Sequence, residues 1–318
     1  MSQIKKPHTR VPIDGVLLLD KPVGFSSTQA LAKAKWLLNA EKAGHTGTLD
    51  PFATGLLPLC FGEATKFSRF LLDAKKRYVA TLCLGQTSST GDTEGVLTPP
   101  TPVAVDTATL SKILPTILPQ FLGAQLQIPP MTSALKRDGV PLYKLARQGL
   151  EVEREARAIT IYAITVVSFE AQVLVIDVTV SKGTYVRVLA EDIGRALGCG
   201  AYLTGLRRTA TAGMGIASAY TLAKIEAMPA AERHALLLPA QSLVGDLPRL
   251  NLSMDAAKSL QQGQMPRIDW PAGLPVGIIA EAEYAIFDAN TVFMGVVIVA
   301  RMAGDQAILQ SVRMMASA

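Results

Sequence analysis

At 318 residues, 49% of them hydrophobic and 18% charged, the chain is too apolar for a disordered protein and long enough for two domains. Its net charge of +5 is unevenly spread: residues 1–80 hold twelve Lys or Arg against six acids, residues 121–212 eleven against eight, and residues 213–318 seven against nine. A basic first two thirds suits a polyanion partner, although a solvated face gives the same count.

No apolar run approaches the roughly 18 residues of a membrane span. The opening MSQIKKPHTR lacks the apolar segment of a signal peptide, so a cytoplasmic protein that does not enter the membrane is expected. Cys60, Cys83 and Cys199 lie outside CxxC spacing, and His8, His45 and His234 are scattered. That pattern gives little support to a zinc site or a disulfide framework.

In chain order, residues 1–13 read as a basic arm. DGVLLLDKPVGFSSTQALAKAKWLL then reads as a strand, a Lys-Pro-Val-Gly turn and a helix whose N-cap is Ser26 or Ser27. GHTGTLDPFATG is a loop punctuated by Gly, Thr and Pro that carries Asp50, whose next downstream acid is Glu63. A turn former or helix cap accounts for Asp50 as well as a reactive group does. From Glu63 to Leu72, Phe67, Phe70 and Leu71 fall at helical spacing. RYVATLCLG has strand composition and begins with Tyr78 just after Lys75, Lys76 and Arg77.

QVLVIDVTVSKG alternates, with Leu174, Ile176, Val178 and Val180 on one face. GTYVRVLAEDIGRALG turns helical, with Val186, Leu189, Ile193 and Leu197 in a stripe and Arg187 just off it. Residues 213–246 are Ala-rich and helical in character. From about Pro248, PVGIIA, YAIFD, VFMGVVIV and QAILQSV suggest a small β-rich module. Because no regular βαβ rhythm appears, the expected class is α+β with a mixed, largely antiparallel sheet. The expected division is an arm (1–13), a main domain (14–247) and a C-terminal domain (248–318).

GHTG lacks the GK[ST] of a phosphate loop, and no GxGxxG occurs, which argues against nucleoside triphosphates and dinucleotides. Aromatics beside cations, at Lys75 to Tyr78 and in SKGTYVR, suit a stacked nucleobase with its phosphate, although a strand tyrosine is more often core. A lone carboxylate in such a setting acts as nucleophile or base, with an arginine keeping it ionised.

DGVLLLDKPVGFSS, GHTGTLDPFATGLLPLCFGEATK, QIPPMTSALKRDGVPLYKLARQG, SKGTYVRVLAEDIG and LRRT occur in the order typical of the bacterial TruB family, which the chain resembles over roughly residues 14–210. The C-terminal module is similar in position and size to that family's PUA-like RNA-binding domain. The resemblance implies a pseudouridine synthase fold and isomerisation of the uridine at position 55, in the T-loop of tRNA, without a cofactor. It also implies a monomer with no obligate protein partner.

On this resemblance Asp50 aligns with the catalytic aspartate and Tyr78 with the tyrosine that packs on the target base. Arg187 aligns with the arginine paired to the aspartate, and Asp92 with a second carboxylate of that network. Tyr185 and Leu206 match pocket residues, Lys21 and Lys66 match basic residues lining the site, and His45 matches the histidine that fills space left by the extruded uridine.

Two departures stand out: Thr132 occupies a position where an aromatic is common, and Ser89 one where an acid is often found. Both are expected to affect RNA contacts or loop order more than chemistry. Two rival readings share these motifs: a guide-RNA-dependent pseudouridine synthase, and a tRNA-binding chaperone in which catalysis is secondary.

Overall fold

The computed structural model describes residues 10–101, 107–269 and 282–316. The chain begins with strand Gly15–Lys21 (β1), helix Ser27–Leu37 (α1), strands Ala43–His45 (β2) and Thr54–Phe61 (β3), helix Ser68–Asp73 (α2) and strand Lys76–Leu84 (β4). Helix Thr107–Ile117 (α3) and strand Gly123–Gln127 (β5) come next. A two-residue ladder of Lys136–Arg137 (β6) and Val140–Pro141 (β7) leads into helix Leu142–Arg147 (α4). The long hairpin of Arg157–Glu170 (β8) and Val173–Val180 (β9), helix Val186–Ala196 (α5) and strand Ala201–Thr211 (β10) complete most of the first sheet. Short strands Met214–Gly215 (β11) and Tyr220–Thr221 (β12) precede helix Leu222–Ala227 (α6).

That sheet runs β12-β1-β3-β10-β4-β9-β8-β5, with β2 added to β3 and β11 to β10. The β1–β12 and β3–β10 pairs are parallel, whereas the other pairs are antiparallel. The unbroken apolar run of β1 has a direct cause, since both of its faces are covered. Leu17 and Leu19 join a core with α1, α3 and α5, while Val16 and Leu18 turn to a second core on the other side. In β9 the alternating residues Leu174, Ile176, Val178 and Val180 are buried in the first core, as the periodicity predicts.

A second, five-stranded sheet runs β13-β15-β16-β17-β14, from Arg249–Asn251 (β13), Arg267–Asp269 (β14), Glu283–Phe287 (β15), Phe293–Ala303 (β16) and Gln306–Met314 (β17). Helix Met254–Gln261 (α7), capped by Ser253, packs Ala256, Ala257 and Leu260 against this sheet. The sheet has its own core around Ile286, Val297 and Leu309. It also completes the second core of the main sheet, where Phe287, Phe293 and Val296 meet Cys60, Phe67 and Leu71. The Phe67 and Phe293 rings meet edge to face with centroids 5.2 Å apart. The fold is therefore α+β, with a mixed, largely antiparallel main sheet and a small β-rich C-terminal sheet.

Several local expectations are refined. Ser26, not Ser27, caps α1, in a capping box with Gln29. The helix expected from Glu63 to Leu72 is a 3₁₀ segment, Gly62–Phe67, followed by α2. Residues 213–246, expected to be helical, form two short strands as well as short helical turns, and the β-rich C-terminal module also contains α7. Val11 is bridged to Ala40, so the chain is already paired inside the expected arm. Residues 1–9 of that arm and the PVGIIA stretch lie outside the described residues. Among the described residues, no helix is long and apolar enough to cross a membrane.

Candidate active site

The loop between β2 and β3 is held from several directions, and that is what presents Asp50. Ser27, almost fully buried at the start of α1, donates from Oγ to the Leu49 carbonyl at 3.0 Å and accepts from the Leu49 N–H at 2.8 Å. Gly24 N–H donates to the Pro51 carbonyl at 2.9 Å, and Ala53 N–H to the Asp50 carbonyl at 3.1 Å. Lys21 Nζ, fully buried, donates to the carbonyls of Phe25 (2.6 Å), Pro22 (3.0 Å) and Pro51 (3.4 Å). At Gly55 the backbone has φ +100° and lies so close to β10 that a Cβ would sit 2.3 Å from the Arg208 carbonyl oxygen, so only glycine fits.

Arg187, the second residue of α5, is the hub. Its guanidinium is 4% exposed and bridges two carboxylates, Nη2 to Asp50 Oδ2 at 3.0 Å and Nη1 to Asp92 Oδ2 at 3.2 Å. It also donates to the Thr90 carbonyl (3.0 Å), Thr132 Oγ1 (2.6 Å) and the Thr132 carbonyl (3.2 Å). Asp92 is buried, and its other oxygen accepts from Thr90 Oγ1 at 2.6 Å and the Glu94 N–H at 2.9 Å. Asp50 differs, because about a third of its side chain (35%) remains open to the cleft. Burial pushes its carboxyl above the ordinary range, against the opposing pull of Arg187, and the negative charge of Asp92 adds to the rise.

Two cavities meet at the Asp50–Arg187 pair. One, of about 420 Å³, is walled by Tyr78, Tyr185, Leu206 and Arg208. The other, of about 820 Å³, is lined by Ser27, Asp92, Glu94, Thr132, Tyr143 and Arg147. The register of the sheet builds the first: Tyr78 pairs with Arg208, and Ala80 with Leu206, two residues along the same face. Tyr185, the N-cap residue of α5, is fixed by the Gln127 amide, which bonds both its N–H (2.8 Å) and its carbonyl (3.1 Å). The cavity's apolar rings and Leu206 beside a charged pair suit a flat, partly polar ring.

Lys76, Arg187 and Arg208 line this first cavity, whereas Lys21 and His45, expected to line or fill the site, lie behind the loop and line neither cavity. Burial pushes Lys21 down to about 8, with Asp50 opposing and Arg208 assisting. Burial, with Arg208 again assisting, also takes Lys76 to about 8. Burial and then Arg208 lower His45, whose Nδ1 is buried without a hydrogen-bond partner. Among the described residues, no three His, Cys, Asp or Glu side chains gather to hold a metal ion.

The structure thus brings together Asp50, Asp92, Arg187, Tyr78, Tyr185 and Leu206, with Lys21 beneath the Asp50 loop. Lys66 is a correction. Its Nζ bonds Glu63 at 2.6 Å and the Met314 carbonyl at 3.2 Å, so it faces the C-terminal sheet and lines neither cavity. The lysine that does line the first cavity is Lys76, which donates to the carbonyls of Leu71, Leu72 and Ala74. Arg208, which the sequence offers only within LRRT, and Ser27, only as a candidate helix cap, are further residues of the site. Arg208 could have been singled out, because it is a charged residue inside an apolar strand.

The chain matches the model of TruB family pseudouridylate synthase (N-terminal domain) over residues 35–186, and that of the tRNA pseudouridylate synthase B C-terminal domain over 187–245. By class it is a pseudouridylate-synthase chain. It is 52% identical, over 90% of its length and 92% of the relative's, to tRNA pseudouridine synthase B of Thiobacillus denitrificans. It is 51% identical to that of Neisseria meningitidis serogroup B, over 87% of this chain and 89% of the relative. Among solved structures, a chain of a Cbf5-Nop10-Gar1 complex superposes with a TM-score of 0.71 at 26% identity, covering 95% of this chain and 85% of that one. The chain belongs to the TruB family.

Proposed function

We propose that this chain converts a uridine of tRNA, at position 55 in the T-loop, into pseudouridine. The observation that carries the reading is Asp50, about a third open to the cleft and paired with a buried arginine, at the mouth of a cavity walled by Tyr78, Tyr185 and Leu206. In the reaction the N1–C1′ bond breaks and a C5–C1′ bond forms. The proton on C5 leaves, and N1 gains one. Reactant and product contain the same atoms, so the conversion needs no oxidant, reductant or second substrate.

Asp50 acts at the sugar, either by adding to C1′ as the N1–C1′ bond breaks or by removing the 2′ proton so that the uracil departs and leaves a glycal; both routes use the same carboxylate. Arg187 keeps it ionised and aimed. Tyr78 packs on the base and serves as the base that removes the C5 proton. Tyr185 and Leu206 hold the uracil while it turns. The uridine has to leave the loop to reach Asp50, at a cost of a few kcal/mol of unstacking. His45, with its unpartnered Nδ1, offsets part of that cost by filling the vacated space.

We assign residues 14–247 to catalysis and 248–318 to a PUA-like domain. We further propose that the chain works as a cytoplasmic monomer without an obligate protein partner. Support comes from the 52% identity to a relative named for tRNA alone, against 26% to a chain whose structure is titled as a multiprotein complex. The test uses purified protein and unmodified tRNA carrying tritium at uridine C5. Tritium release by the wild-type chain alone is expected, as is its loss in Asp50→Asn with tRNA binding retained. Multiple turnover by Asp50→Asn, or no release by the wild type, sinks the reading.

A further inference from the structure

Thr132 occupies a position where the family resemblance implies an aromatic, and it is expected to affect RNA contacts or loop order more than chemistry. The structure puts it on Arg187. Its Oγ1 accepts from Nη1 at 2.6 Å and its carbonyl from Nη2 at 3.2 Å, while the same two nitrogens reach Asp92 at 3.2 Å and Asp50 at 3.0 Å. The guanidinium is thus shared among two carboxylates, the Thr90 carbonyl and both oxygens of Thr132. Thr132 sits between β5 and the β6–β7 ladder, in a segment that also supplies Ala134 to the wall of the larger cavity and continues into α4, which supplies Tyr143, Ala146 and Arg147.

We infer that Thr132 is a positioning residue for the catalytic arginine: its hydroxyl and carbonyl fix the plane of the Arg187 guanidinium, and through it the carboxylate of Asp50. A planar fork is aimed by where its acceptors stand, and a hydrogen bond to a charged group is among the stronger ones. Without the hydroxyl, Nη1 keeps Asp92 and the Thr90 carbonyl, and the guanidinium turns toward them and away from Asp50. The segment carrying Thr132 thereby becomes part of the chemical step, although it touches no reacting atom. The inference rests on the proposed reading of Asp50 and Arg187, and the experiment separates the two.

Thr132→Val replaces the hydroxyl by a methyl group and shuts out water, Thr132→Ala removes it without added bulk, and Thr132→Ser keeps it. Each is compared with the wild type and with Asp50→Asn in single-turnover tritium release from tRNA, alongside tRNA binding. Val and Ala are expected to slow the step at saturating tRNA about tenfold or more, with affinity within about twofold. Serine is expected to recover the rate to within about threefold. Because Arg187 opposes the rise in the Asp50 pKa, a misaimed guanidinium moves the acid limb of the pH–rate profile to higher pH in the Val and Ala proteins. Wild-type rates in either of those two, a serine protein as slow as both, a loss confined to affinity, or an acid limb that stays put would overturn the inference. An inactive wild type, or an active Asp50→Asn, instead strikes the underlying reading.

Discussion

The hydroxyl of Ser27 grips Leu49 by both its N–H and its carbonyl, at 2.8 and 3.0 Å, and so ties the first turn of α1 to the residue preceding Asp50. Two short bonds in a buried place make a rigid clasp, and the loop cannot shift without breaking both. Ser27→Ala leaves the Leu49 N–H and carbonyl without these partners, which costs about 1–3 kcal/mol. We expect a lower melting temperature and a slower single-turnover rate, with Ser27→Thr retaining most of both. Thermal denaturation and tritium release measure them. An alanine protein that matches the wild type in both would show that the clasp does not matter.

Arg187→Lys keeps the charge and loses the fork. One ammonium cannot hold Asp50, Asp92, Thr90 and Thr132 in a single plane as the guanidinium does. The expected loss is about a hundredfold or more in single-turnover rate, with tRNA binding close to normal. Rates within a few-fold of wild type would mean that charge alone suffices.

Asp92→Asn tests the electrostatics directly. Burial raises the Asp50 pKa and the Asp92 charge raises it further, so activity that needs ionised Asp50 falls as pH drops through a value above the ordinary carboxylate range. Removing the Asp92 charge takes away one raising influence and leaves Arg187 with one carboxylate to serve. The acid limb of the pH–rate profile is therefore expected to move to lower pH, even though the maximal rate drops. A limb that stays or moves upward would contradict this arrangement.

Phe293→Ala probes the seam between the two sheets. The ring is almost fully buried against Phe67 and Phe287, and its removal is expected to destabilise the protein by about 3–5 kcal/mol. A chain ending at Leu247 exposes Cys60, Phe67 and Leu71 together and is expected to aggregate or to lose cooperative unfolding. Denaturant titration of the point variant and calorimetry of the shortened chain provide the check. A shortened chain as stable as the full one would mean that the seam contributes little.

The parts of this molecule visible in its sequence are those with a local signature. The alternation of β9 and the apolar stripe of α5 could be read residue by residue, because burial on one face leaves a period. Asp50 was different: its neighbours were compatible with a turn, and only the order of several motifs along the chain set it apart. Bonds between distant segments left no trace at all. Ser27 meets Leu49 across 22 residues, Thr132 meets Arg187 across 55, and Arg208 reaches the Leu56 carbonyl across 152. Lys66 went astray for the same reason, since its carbonyl partner at Met314 lies 248 residues away.

The apolar seam also orders events in time. Cys60, Phe67 and Leu71 are synthesised more than two hundred residues ahead of Phe287, Phe293 and Val296, which cover them. At about 5–20 residues per second, the gap between the two groups lasts on the order of ten seconds or more. Through that interval these apolar side chains stay uncovered, even after β12 completes the first sheet at Thr221, and such a surface is the kind chaperones bind. Conditions that slow translation across the last third of the message lengthen this exposure, so the yield of folded protein is expected to fall with elongation speed there even where the finished molecule is unchanged.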